Sequence, residues 1–140
     1  MFKHILIPTD GSKLSNQAAE AGVRLAKALG ARTTAFFAAP PDTPANFRSM
    51  DEREQATRKG TQARLGAVEK AAKAAGVPCE TMSVTSDYPA EAIVAAAKKR
   101  RCDLIYMASH GRRGLRKSSL LGSETQKVLS ESPIPVLVHR

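Results

Sequence analysis

The sequence predicts an α/β protein: a five-stranded, doubly wound parallel sheet of order 3-2-1-4-5, with helices on both faces. Three observations carry that expectation. Short apolar runs alternate with longer segments whose apolar residues recur at helical spacing. The alternation is β-α-β-α-β-α-β-α-β along the whole chain, with no internal repeat or low-complexity tract. Strands separated by helices must run parallel, and right-handed crossovers then place helices on both faces.

Phe2 to Pro8 (FKHILIP) is a short apolar run closed by the turn Thr9-Asp10-Gly11-Ser12, and reads as a buried strand. Ser12 is placed to cap a helix in which Leu14, Ala18, Ala21, Leu25 and Ala28 share a face, and Gly30 ends it. Ala31 to Ala39 is the second strand, and Pro40, Pro41 and Pro44 then predict a loop over 40–50. Asp51 to Ala75 reads as a helix opened by acidic residues, with Leu65, Val68, Ala72 and Ala75 as its apolar stripe. Its first half is polar on every side, and Gly60 and Gly66 weaken it. Gly76 and Pro78 end it. Residues 79–85 alternate as a strand, and Pro89 opens a helix that runs to Arg101 with Ile93, Val94 and Ala97 inward. Asp103 to Ala108 is a buried strand, and residues 109–121 a long polar loop. Ser123-Glu124-Thr125-Gln126 matches a capping box, and Ile134 to Val138 is the last strand.

With 42% hydrophobic and 25% charged residues, the 140-residue chain falls among globular rather than disordered proteins and has the size of one domain, 1–140. Tryptophan is absent and aromatics are few, so Ala, Val, Ile and Leu must fill the core. The apolar stretch Ile5 to Pro8 is too short for a signal-peptide core or a membrane span, so a cytoplasmic chain without membrane attachment is expected. Cys79 and Cys102 stand alone, with no cysteine–histidine cluster; two free thiols and no structural metal follow. Lys and Arg number 22 against 13 acidic residues, a net charge of +9 that favours anionic partners without identifying them. The run Lys98-Lys99-Arg100-Arg101 complements a helix C-terminus. No aromatic is interleaved with these charges for base stacking, which argues against single-strand recognition, and no nucleic-acid partner is expected.

In an open parallel sheet, ligands bind beyond the carboxyl ends of the strands where the strand order reverses. For order 3-2-1-4-5 that point lies between the first and fourth strands. Two loops meet there: Pro8-Thr9-Asp10-Gly11-Ser12, and the segment from Ala108-Ser109-His110-Gly111 to Gly122-Ser123. Glycines allow backbone N–H groups to approach an anion, and the helix opened at Gly122-Ser123 offers its free N–H groups to a phosphate. A capped helix after a plain surface loop is the alternative. Gly111 to Ser118 only mimics a P-loop, because Arg116 replaces the second glycine of that motif, and no G-x-G-x-x-G follows any strand.

The stretches HILIPTDGS (4–12), DYPAEAI (87–93), DLIYMASHGRRGL (103–115) and LLGSETQKVLSESPIPVLVHR (120–140) resemble the universal stress protein family over essentially the full length. The resemblance implies the adenine nucleotide alpha hydrolase-like fold, dimerisation often through the last strand and, in one branch, ATP binding. That branch carries G-x-x-G, nine residues, then G-[ST]. Here Ala108 takes the first glycine's place and ten residues separate Gly111 from Gly122-Ser123. Glu124 also stands where ATP binders often carry an apolar residue. By this resemblance, Asp10 lies close to the nucleotide, Pro8 and Thr9 shape the adenine and ribose side, and Ala38 lines the adenine pocket. Ala108 matches the first glycine of the loop, while Gly111, Gly122 and Ser123 donate hydrogen bonds to phosphates. Asp10 is also placed to cap the first helix.

The expected function is a cytoplasmic, homodimeric regulatory module in the stress response. It holds ATP or AMP, with or without Mg, and at most hydrolyses it slowly and incidentally. His110 has no second base or orienting carboxylate assigned to it, so it is read as a structural hydrogen-bonding residue rather than a general base. Ser118 and Ser119, after Arg116-Lys117, suggest phosphate contact or modification, against a plain solvated loop. Cys102 is read as an inert residue at the edge of the core. The competing expectation is a nucleotide-free family member acting through protein–protein contacts, motivated by Ala108 and Glu124. Ile134 to Val138, as an edge strand, invites pairing with a second copy.

Overall fold

In a computed structural model that describes residues 1–41, 49–110 and 121–140, the elements follow the order read from the sequence. They are β1 (His4–Pro8), α1 (Lys13–Leu29), β2 (Arg32–Ala39), α2 (Met50–Ala75), β3 (Cys79–Thr85), α3 (Pro89–Lys99), β4 (Leu104–Ala108), α4 (Ser123–Glu131) and β5 (Val136–His139). The strands form one parallel sheet of order β3-β2-β1-β4-β5. β1 is its central strand, in register with β2 from His4↔Arg32 to Pro8↔Phe36 and with β4 through Ile5↔Leu104 and Leu6↔Ile105. The expected loop over 40–50 falls largely on residues 42–48, outside the described residues; α2 starts at Met50, capped by the Ser49 hydroxyl.

The pleat of the central strands sorts side chains into two cores. Ile5, Ile7, Ala35 and Phe37 meet α1 and α2, whose buried residues include Ala18, Val23, Leu65, Val68 and Ala72. Leu6, Phe36 and Ile105 point the other way, against Ile93, Val94 and Ala97 of α3 and Val128 of α4. Full burial of a side chain such as Phe36 contributes about 1.5–3 kcal/mol. With so few aromatics, close approach of helix to sheet supplies much of the remaining contact. At Gly22 in α1, an added Cβ would lie 3.0 Å from the Tyr106 ring and 3.2 Å from Ile7. Alanine and glycine on α1 therefore let the helix sit low on β1 and β4.

Three boundaries differ from expectation. α3 stops at Lys99 rather than Arg101, because Arg101 itself adopts φ 56°, the left-handed conformation that glycine supplies after α1 and α2. Ser123 does not cap α4; Gly122 occupies that position without a side-chain bond, and the expected capping box is not formed. β5 runs from Val136 to His139 rather than from Ile134, since the Ile134 N–H and carbonyl are both bonded to the Ser132 hydroxyl in a tight turn.

At the N-terminal edge of the sheet, His4 is buried, and its Nε2 lies 2.6 Å from Thr34 Oγ1. The Thr34 hydroxyl donates its single proton to Glu80 Oε1 (3.0 Å), so His4 Nε2 must carry the proton between them. Burial first, then the charge of Arg32, lowers the His4 pKa from its ordinary 6.5, against Glu80, the Arg100 backbone and Asp103. Cys102 is buried and free, its thiol pushed up to about 11 by desolvation, which leaves it unreactive at neutral pH.

Gly22→Val should destabilise the fold by about 1–3 kcal/mol through overpacking against Tyr106 and Ile7. Gly66→Ala, where an added Cβ meets nothing within 4 Å, should stabilise it by about 0.5–1 kcal/mol. Urea midpoints of the two variants, moving in opposite directions, are the check. For His4, the unfolded chain binds the proton more tightly than the folded one. Its contribution is therefore complete above pH 6.5 and is lost as pH falls from there through the lowered folded value. Urea midpoints recorded on the acid side of 6.5 should fall less steeply in His4→Gln than in the parent.

Candidate functional site

The C-terminal ends of β1 and β4 lie side by side, as the strand order requires. At the end of β1, Pro8 and the following Thr9 are buried, and the Thr9 N–H donates to the Phe36 carbonyl (2.8 Å), which ties the loop to β2. The Thr9 hydroxyl accepts from the Gly11 N–H (3.2 Å) and lies 3.1 Å from the Ser15 hydroxyl. Gly11 has φ 81°, where a side chain would be strained. Ser12 is the helix cap, its Oγ accepting from the Ser15 N–H at 3.2 Å. Asp10 does not cap α1: its Oδ1 accepts from the Ser12 N–H (2.9 Å) and closes an Asx turn ahead of the cap. The loop is thus fixed by its own side chains, with the half-buried Asp10 at its crest.

Arg64 of α2 joins this loop from 54 positions further along the chain. Its Nε donates to the Asp10 carbonyl (3.2 Å), and its guanidinium stacks 4.9 Å from the centroid of Phe37 on β2. The space it fills is opened by two glycines, since a Cβ at Gly11 would lie 2.9 Å from Arg64 Cγ and one at Gly60 2.8 Å from Nη1. Gly60, which weakens α2 by propensity, is therefore matched to Arg64 one turn later. The only hint in the sequence is that coincidence of glycine and arginine.

On the neighbouring strand, Ala108 closes β4 with an ordinary backbone, since Arg101 is the one non-glycine residue of positive φ among the described residues. Alanine in the place of the family glycine therefore costs no backbone strain. The Ser109 N–H donates to the His139 carbonyl (2.8 Å), and the Gly122 N–H donates to the Ser109 carbonyl (2.7 Å). Gly122 is thereby drawn against β4; a Cβ there would lie 3.3 Å from the Ser109 oxygen. The buried Thr125 hydroxyl bonds the Ala108 carbonyl (3.0 Å) and locks the first turn of α4 onto the strand end. Ser123 is the first residue of α4 and is exposed. His110 Nδ1 lies 3.2 Å from the Ser109 hydroxyl, a local contact of the structural kind expected.

Glu124 turns away to the neighbouring helix. Its Oε2 accepts the Ala90 N–H (3.0 Å), a free donor of the first turn of α3, which has no side-chain cap of its own. Its Oε1 lies 3.6 Å from Lys127 Nζ. The exposed ion pair is worth under about 1 kcal/mol, whereas a hydrogen bond to a charged group is worth about 1.5–3 kcal/mol, so Ala90 sets the orientation. Ala38, half-buried near the end of β2, faces the α3–α4 core and pairs with Val84. Gly111, with Arg112, Arg113, Arg116, Lys117, Ser118 and Ser119, lies outside the described residues. The structure thus brings Pro8, Thr9, Asp10, Ala38, Ala108, Gly122 and Ser123 to one edge of the sheet, on β1, β2 and β4 and the segments after them.

The sequence pattern of the universal stress protein family matches residues 1–140. The chain belongs to the universal stress protein family. A universal stress protein of Thermus aquaticus is 36% identical over 140 residues, covering all of both chains. The universal stress protein YxiE of Bacillus subtilis is 35% identical over 153 residues, again covering all of both. Among solved structures, a universal stress protein in complex with cAMP superposes with a TM-score of 0.76 at 26% identity, covering 99% of this chain and 97% of the other. The five-stranded order 3-2-1-4-5 and these neighbours place the chain in the adenine nucleotide alpha hydrolase-like fold.

In this universal stress protein, the Thr125 bond is the testable joint between α4 and β4. Thr125→Val keeps the shape and leaves the Ala108 carbonyl without its donor. A loss of about 1–3 kcal/mol is expected in urea denaturation.

Proposed function

We propose that this universal stress protein binds an adenine nucleotide, ATP or AMP, between the ends of β1 and β4 and serves as a regulatory module in the stress response. The observation that carries the reading is the 2.7 Å bond from the Gly122 N–H to the Ser109 carbonyl. It seats the N-terminus of α4, free of any side-chain cap, at the point where the strand order reverses. Phosphates would meet the N–H groups of the first turn and the Ser123 hydroxyl, with Gly111 contributing by the family pattern. Asp10 would face the ribose, and Pro8, Thr9 and Ala38 the adenine. Gly122 admits the backbone approach that a larger residue would block. The cAMP complex of a relative at 26% identity supports an adenine nucleotide as the ligand class.

Glu124 supports the same reading over a nucleotide-free one. Its carboxylate is held by Ala90 and Lys127, so it satisfies α3 instead of standing bare in front of the α4 terminus. Mg would accompany a triphosphate, neutralising its charge. Turnover is expected to be slow and incidental, because His110 Nδ1 is engaged with the Ser109 hydroxyl in a local, structural contact. The protein is proposed to act in the cytoplasm; no helix among the described residues is long and apolar enough to cross a membrane. β5 lies at an edge of the sheet with Leu137 exposed, and this supports a homodimer formed through that strand.

Nucleotide released on denaturing the purified protein, followed by calorimetric titration with ATP and AMP, tests the reading. Saturable binding that Asp10→Ala weakens at least tenfold is expected. No released nucleotide and no heat up to millimolar ATP or AMP would sink it. Leu137→Arg should convert the dimer to monomer in sedimentation velocity; a parent that is already monomeric at micromolar concentration would contradict pairing through β5.

A further inference from the structure

The peptide between Asp10 and Gly11 is the point of conformational freedom in the loop that leaves β1. Gly11 has φ 81° and, without a Cβ, has access to negative φ as well. Rotation of that one peptide plane would turn its carbonyl and its N–H to opposite sides while the flanking chain kept its course. Two bonds oppose the rotation, one at each end of the plane. The Asp10 carbonyl accepts from Arg64 Nε (3.2 Å), and the Gly11 N–H donates to the Thr9 hydroxyl (3.2 Å). The C=O and N–H of a trans peptide point in opposite directions, so both bonds select the same orientation.

Arg64 is the stronger of the two restraints. Thr9 Oγ1 also lies 3.1 Å from Ser15 Oγ, a neutral contact that a hydroxyl re-forms by rotating. Arg64 brings a charged donor, and such bonds are roughly twice as strong as neutral ones. Its guanidinium stacks 4.9 Å from the Phe37 centroid, in the space left by the absent side chains of Gly11 and Gly60. Among the described residues no carboxylate pairs with Arg64, so no ion pair draws it away from the Asp10 carbonyl. α2 does not depend on this arginine as an anchor, since it buries Leu65, Val68 and Ala72.

We propose that Arg64 is a positioning residue for the adenine nucleotide site, latching the Asp10–Gly11 peptide in one orientation and thereby presetting the Asp10 carboxylate. The link runs through the next residue. Asp10 Oδ1 accepts from the Ser12 N–H (2.9 Å), and Ser12 caps α1, so the place of the carboxylate depends on the peptide between them. A preset turn spares the nucleotide the cost of ordering it. This positioning role rests on the proposed nucleotide binding, whereas the latch itself belongs to the unliganded chain.

The test compares R64M and R64Q with the parent. Methionine keeps an unbranched stem over Phe37 and removes the donor; glutamine keeps an N–H as far along the side chain as Nε and removes the charge. Hydrogen exchange at the Gly11 and Ser12 N–H groups, read by NMR without nucleotide, should be about tenfold faster in R64M. Protection at Val68 and Ala72 and the urea midpoint should stay close to the parent's. Calorimetry should show AMP and ATP both bound about fivefold more weakly by R64M, as the competent orientation loses population. R64Q should lie between R64M and the parent in both measurements. Unchanged exchange at Gly11 and Ser12, or exchange accelerated equally at Val68 and Ala72, would overturn the latch. Faster local exchange with unchanged nucleotide affinity would overturn the positioning role. So would a loss much larger for ATP than for AMP with R64Q no better than R64M, which would mark a direct phosphate contact. A parent that binds no nucleotide would sink the nucleotide reading and the positioning role with it, and the exchange comparison would still decide the latch.

Discussion

β1 runs between β2 and β4 with helices over both faces, and all five of its residues are buried. A parallel sheet can satisfy that burial only if crossover helices cover both sides, which is why four helices fall into two pairs. Everything functional inherits its place from this strand. Its C-terminal end must be left by a loop that turns sharply into α1, and the next strand outward on one side is β4, whose own exit is turned toward α4. The proposed nucleotide site is the gap that the topology leaves there, and its chemistry is built from backbone N–H groups and short side chains because the strands below it are packed with apolar residues.

The same directionality gives the molecule two unlike ends. Every helix follows a strand, so helix N-termini gather at the C-terminal edge of the sheet and helix C-termini at the other. N-terminal donors suit an anion directly, and this is the physical basis of the proposed nucleotide site. At the other end, free carbonyls would repel an anion, and the sequence places Lys27, Lys73 and Lys98-Lys99 in the last turns of α1, α2 and α3. Those cations complement the negative ends of the three helix dipoles.

Two departures from the ATP-binding pattern change meaning once the fold is known. Ala108 is an ordinary strand-end residue whose carbonyl is held by Thr125, so the missing glycine is not missed by the backbone. Glu124 serves α3, which opens on Tyr88 and Pro89 and has no cap of its own. The acidic residue at the start of one helix is the cap of another. That arrangement also ties the segment around Ser123 to the start of α3 through a single side chain.

From the sequence alone, the alternation of strands and helices, the strand order, the glycine stops at Gly30 and Gly76 and the convergence of the Pro8–Ser12 loop with Gly122-Ser123 were all legible. These depend on local periodicity, local caps and the handedness of crossovers, which act over a few residues at a time. What the sequence could not disclose depends on residues far apart along the chain. Arg64 reaches Asp10 across 54 positions, and Glu124 reaches Ala90 across 34. The capping box at Ser123 matches locally but is not formed, since Gly122 holds the cap position and Gln126 bonds the Leu121 carbonyl, and α3 ends early because Arg101 takes the left-handed turn. The sequence by itself determined which segments are strands and helices and where their exits meet, because burial periodicity encodes both. Only the tertiary structure decided which side chains partner across those exits, because such contacts are set by packing between elements that no local pattern describes.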